Sequence, residues 1–123
     1  MKVKLPEKII MRCVELVLNA GNDLEEVQRV SGRNKVALVT WQMRLATPEF
    51  PEGRDIILIA SDITFHDGSM GIDEFLLFQK VSDLARQKKI PRIFISCNSK
   101  RRCEFAHEIG SILKIAWTVP NQT

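Results

Sequence analysis

Two short stretches hold residue types able to act on a ligand: Gly68-Ser69-Met70-Gly71, and Asn98-Ser99 followed by Lys100-Arg101-Arg102. Glycines let a backbone approach a bound group closely, and free amides at a helix N-terminus suit an anion or an oxyanion. The same Gly-x-x-Gly spacing also makes a tight turn into a helix, and Asn98-Ser99 serves equally well as a helix cap. Asp62, His66 and Asp67 precede the first stretch. They follow neither a Ser-His-Asp order nor a paired-carboxylate spacing, so they read as solvated loop residues. The three cysteines, Cys13, Cys97 and Cys103, lack a Cys-x-x-Cys pair, and neither His66 nor His107 has metal-ligand spacing to them. They read as reduced thiols of a cytoplasmic protein, and no metal is expected.

Charge is unevenly spread. The net charge is +3, yet residues 84–103 hold Arg86, Lys88, Lys89, Arg92, Lys100, Arg101 and Arg102 and no acid before Glu104. Three readings fit such a segment: a solvated helix end with a basic loop, a site for a phosphorylated small molecule, or a nucleic-acid contact. The last has no accompanying nucleic-acid motif. The longest apolar run, Ile56 to Ala60, is far short of the ~20 residues a membrane helix needs. The basic N-terminus has neither an apolar core nor a small-residue cleavage site, so a secretory signal is not expected. A basic mitochondrial targeting segment is the weaker alternative, because Glu7 interrupts it.

These loops need a scaffold. With 123 residues, 45% hydrophobic and 27% charged, the chain matches one globular domain, 1–123, and not a disordered or fibrous protein. Val14–Leu18, a mixed stretch with Leu24, Val27 and Val30, and the alternating run 35–46 predict an antiparallel β-meander. In that run Ala37, Val39, Trp41, Met43 and Leu45 form the apolar face, expected to be the half-buried one, with Trp41 in core or rim packing. From Asp55 the pattern changes to buried strand 55–60, loop 61–71, helix 72–89 with Ile72, Phe75, Leu76, Val81, Leu84 and Ala85 inward, buried strand 92–97, helix 101–112 and strand 113–117. The fold class expected is α/β: a meander followed by parallel β-α-β units. In such sheets ligands bind at the carboxyl ends of the strands, where loops 61–71 and 98–102 fall.

Six segments carry a more specific resemblance: Glu15-Leu-Val-Leu18, Pro51-Glu-Gly-Arg-Asp-Ile56, Asp62-Ile-Thr64 with Gly68-Ser69 and Gly71, Ile90-Pro-Arg-Ile93, Asn98-Ser99 and Ala116-Trp117. In this order, over residues 12 to 119, the sequence resembles the N-terminal part of the carboxyltransferase domain of eukaryotic-type multidomain acetyl-CoA carboxylase. The resemblance implies a partial crotonase-like fold of β-β-α units and a role in fatty acid biosynthesis. The family moves a carboxyl group from carboxybiotin, held on a separate carrier domain, to acetyl-CoA, giving malonyl-CoA. It implies CoA or thioester contacts for Gly68, Ser69, Gly71, Asn98, Ser99 and Arg102, the last falling on the family's ligand-recognising arginine. The CoA phosphates would account for the basic loop.

The chain also departs from that pattern. Where the family has N-S-G-A-R-I-G, Lys100 and Glu104 replace the two glycines. A left-handed backbone or close approach there would cost about 1–2 kcal/mol. The family's site forms between two crotonase-like domains of partner subunits, and 123 residues match the opening portion of the first. The expectation is a truncated or divergent carboxyltransferase-like protein, inactive on its own. The alternative is a non-enzymatic module pairing with a full-length carboxylase or with itself.

Overall fold

The computed structural model describes residues 10–97. The expected helix 101–112, strand 113–117, Asn98, Ser99, Arg102 and Trp117 lie outside the described residues. Among the described residues five strands form one sheet: β1 (Met11–Leu18), β2 (Leu24–Val27), β3 (Leu38–Leu45), β4 (Arg54–Ser61) and β5 (Arg92–Ile95). One helix, α1 (Ile72–Lys88), joins β4 to β5. The result is a mixed α/β fold.

The strand order is β2-β1-β3-β4-β5. Every pair is antiparallel except β4 with β5, which are parallel as a helical crossover requires. The sheet therefore departs from a sequential meander, because β3 pairs with β1 rather than with β2. β2 is short and carries exposed Glu25 and Glu26, the character of an edge strand. It ends at Val27, and Val30, expected to continue it, is 76% exposed. Asn19 shapes the β1–β2 turn: its Oδ1 accepts from the N–H groups of Gly21 and Asp23.

Among the described residues the core forms on one face of the sheet. Leu16, Leu38, Ile57 and Ile59 pack against Leu77, Val81 and Ala85 of α1. Buried Thr40 sits among them, its hydroxyl satisfied by the Leu16 carbonyl at 2.7 Å. Strand alternation then sends Val39, Trp41, Met43 and Leu45 to the opposite face. The face expected to be the buried one is thus the one α1 leaves uncovered. The helix is also rotated from expectation: Ile72 and Phe75 are exposed, while Leu77 is buried. Among the described residues β5 is an edge strand, exposed throughout rather than buried. Its helix-side residues still make contacts, with Phe94 edge-to-face on Phe78 and the Arg92 guanidinium over the same ring.

Helix limits follow local chemistry. Asp73 and Glu74 lie in the first turn and Arg86 and Lys88 in the last, as the helix dipole favours. Lys89 closes the helix in a left-handed conformation, with its N–H on the Arg86 carbonyl.

Candidate functional site

The loop after β4 is built by its own hydrogen bonds. Asp62 takes the Thr64 hydroxyl at 2.6 Å and the Thr64 N–H at 2.9 Å on Oδ1, and Asn34 Nδ2 at 2.7 Å on Oδ2. These donors, the Thr64 hydroxyl foremost and then Asn34, hold its carboxyl below the ordinary value of 3.8 against the small opposing effect of burial. Asp62 is therefore an ionised clamp between this loop and the segment leading into β3. The exposed His66 and Asp67 match the expected solvated loop residues.

Next comes a single 3₁₀ turn of inverted hand. His66, Asp67 and Gly68 all have positive φ, at 46°, 55° and 70°. Gly68 N–H donates to the Phe65 carbonyl and Ser69 N–H to the His66 carbonyl, both at 3.0 Å. Ser69 Oγ donates to the same His66 carbonyl at 2.7 Å. Gly71 N–H donates to Glu74 Oε2 at 2.8 Å, and Glu74 Oε1 accepts from the Ala37 N–H at 2.9 Å. Glu74 is 2% exposed, so its carboxylate spans buried space between the first turn of α1 and β3. Gly68, Ser69 and Gly71 are thus brought together and buried, with their amides engaged inside the loop.

The second expected loop starts beside the first. β4 and β5 run parallel, and Cys97 Sγ lies 3.4 Å from the Ser61 carbonyl, so the two carboxyl ends adjoin. Asn98, Ser99 and Arg102 follow outside the described residues. Ser61 Oγ, at this same end, is buried without a hydrogen-bond partner. Such an atom can serve a polar group arriving there. A cleft of about 470 Å³ opens on the uncovered sheet face, between Trp41 and the segment 27–34, with Asp62 at its rim. Glu15 and Arg29 pair within it at 2.6 Å. Among the described residues no cluster of His, Cys, Asp and Glu could hold a metal, and no helix is long and apolar enough to cross a membrane.

Sequence reasoning missed Glu74 as the piece that fixes the loop. Its place three residues after Gly71, at the third helical position, was the available signal. Asn34 carried none, because it lies 28 residues from Asp62. The Pro51–Ile56 segment has a clear physical basis. Gly53 has φ +97°, and a Cβ there would lie 2.8 Å from Arg44 Nε, while Arg44 pairs with Asp55 at 3.6 Å.

These features define a mixed α/β segment whose candidate loops leave the carboxyl ends of one parallel strand pair. Sequence comparison makes the assignment particular. The chain is 44% identical over 120 residues to acetyl-CoA carboxylase of Schizosaccharomyces pombe, covering 98% of this chain and 5% of that protein. It is 49% identical over 98 residues to the acetyl-CoA carboxylase of Dictyostelium discoideum, covering 80% of this chain and 4% of that protein. Acetyl-CoA carboxylase 2 of Oryza sativa is 41% identical over 98 residues, again 80% of this chain and 4% of its own length. No family profile matches the sequence. The chain belongs to the acetyl-CoA carboxylase family and corresponds to a small segment, about one-twentieth, of these large relatives.

Proposed function

We propose that the chain is a carboxyltransferase-type segment of partial crotonase-like fold that binds a CoA thioester at the carboxyl ends of β4 and β5 and does not complete carboxyl transfer alone. The observation that carries this reading is the collinear identity to acetyl-CoA carboxylases over 98% of the chain. The adjoining ends of β4 and β5 support it, since both candidate loops start there. The family's use of biotin and acetyl-CoA supplies the ligand class. In that reaction the carboxyl group leaves carboxybiotin, the methyl proton of acetyl-CoA takes its place on biotin, and the enolate carbon takes the carboxyl group, so the thioester oxygen would bear the developing charge. Amide donors aimed at that oxygen would stabilise it.

Here the Gly68, Ser69 and Gly71 amides already donate within the loop. They would have to exchange those bonds to serve an oxyanion, which favours binding over turnover. Arg102, Asn98 and Ser99 are the proposed contacts to the ligand's anionic groups, and Lys100 and Glu104 at the family's glycine positions count against a close backbone approach there.

Calorimetric titration with malonyl-CoA and an assay of biotin-dependent malonyl-CoA decarboxylation test both halves. The expected result is binding, weakened about tenfold or more by Arg102→Ala as loss of a charged hydrogen bond implies, without turnover. Absence of binding at millimolar ligand removes the CoA assignment. Robust turnover that Arg102→Ala abolishes removes the claim of inactivity.

A further inference from the structure

One polar group at the carboxyl end of β4 is left over by the loop chemistry. Ser61 is the last residue of β4, and strand alternation puts it on the same face as Ile57 and Ile59, both sealed under α1. Its carbonyl accepts from Cys97 Sγ at 3.4 Å. Its hydroxyl oxygen is buried and has no partner, alone in this among the buried side-chain nitrogen and oxygen atoms of the described residues. A buried hydroxyl with nothing to bond costs free energy that a bonded one does not, so its place calls for a partner.

The neighbours narrow what that partner is. Other donors at this end are committed: Gly68 N–H to the Phe65 carbonyl, Ser69 N–H and Oγ to the His66 carbonyl, and Gly71 N–H to Glu74. Gly68 packs beside Ser61. A Cβ there would stand 3.6 Å from Ser61 Cβ, so the missing side chain leaves that flank uncrowded. The next residue, Asp62, is an ionised carboxylate, which disfavours a second anion close by. A neutral acceptor suits both the hydroxyl and this charge, which points to a carbonyl oxygen rather than a phosphate.

We infer that Ser61 Oγ donates to the carbonyl oxygen of a bound acyl thioester, and that this bond lets the chain tell an acyl-CoA from free CoA. The inference rests on the CoA reading above and adds the atom that recognises the acyl group. The Gly68 and Ser69 amides must break a bond before they serve a ligand, whereas the Ser61 hydroxyl breaks none. A bond made there is therefore gained without an exchange inside the protein. The ligand's anionic groups stay with Arg102, Asn98 and Ser99, so its two ends are held by different chemistry.

The test compares the full chain with its Ser61→Ala variant, by urea unfolding without ligand and by calorimetric titration with acetyl-CoA and with free CoA. The wild type is expected to bind acetyl-CoA about fivefold more tightly than CoA, the size of one hydrogen bond. Ser61→Ala should keep its urea midpoint at or above that of the wild type, because it removes a buried group that has no partner. It should lose the preference for acetyl-CoA and leave the affinity for free CoA in place. A lowered midpoint, or a variant that does not fold, overturns the inference, since the hydroxyl is then bonded within the chain itself. Unchanged affinity for acetyl-CoA, or equal weakening toward both ligands, overturns it as well, because Ser61 then does not read the acyl group. A wild type that binds both ligands alike overturns it and leaves the CoA reading standing, whereas a wild type that binds neither removes that reading and this inference with it.

Discussion

Within β3 and β4, neighbouring residues of similar apolarity meet different fates. Leu38, Ile57 and Ile59 are sealed by α1, whereas Val39, Ile56 and Leu58, each one step along the same strands, remain partly open. Composition does not separate the two sets, and by itself the more uniformly apolar face of β3 is the wrong one to bury. What decides is which face the crossover helix covers. An apolar face is a demand for a partner, and the identity of the partner fixes which face becomes core.

The sharpest way to break this comparison is to remove matched side chains from the two faces. Ile57→Ala, on the helix side, should lower stability by about 2–5 kcal/mol, the range for a buried isoleucine with a residual cavity. Leu58→Ala, on the open side, should cost under about 1 kcal/mol in dilute protein, where little burial is lost. Urea unfolding of the two variants checks the difference, and equal losses would mean that the open face is covered in the monomer.

Glu74→Gln probes the carboxylate at the edge of the sealed side. An amide cannot accept from both Gly71 and Ala37 without presenting a donor to one of them, so the expected loss is about 1–3 kcal/mol by the same measurement. Gly53→Ala probes the β3–β4 turn, away from α1. A Cβ at φ +97° against Arg44 should cost about 1–2 kcal/mol, with the flexible arginine giving way in part.

The smallest effect concerns Asp62, near the open side. Its folded pKa lies below the unfolded one, so its contribution is present above about pH 4 and is lost as pH falls through the folded value. Stability of the wild type should therefore fall more steeply below pH 4 than that of Asp62→Asn. Parallel acid limbs in the two denaturation profiles would show that the Asp62 clamp does not hold the loop.

Local patterns located the elements well. The change from alternating to doubly apolar strands, the charge bias of α1 and the glycine turns gave β1, β3, β4, α1 and β5 to within a few residues. Three features were hidden because they are non-local. The return of β3 to β1 depends on pairing across a turn whose sequence does not name its neighbour. The rotation of α1, with Leu77 inward and Phe75 outward, depends on the sheet beneath it. The exposure of β5 depends on what lies beyond an edge. For the candidate site, the place of Gly68, Ser69 and Gly71 after the carboxyl end of β4 is legible from motif and topology. The use of the Gly68 and Gly71 amides was not, because Phe65, Glu74 and the inverted turn decide it.

Glu74 has a kinetic consequence as well. Its contact with Ala37 closes a separation of 37 residues, so it forms only after β3 and the first turn of α1 have found each other. Once made, it joins the two into one opening unit, and the Ala37 and Gly71 amides should share a single opening free energy in hydrogen exchange although one precedes a strand and the other caps a helix.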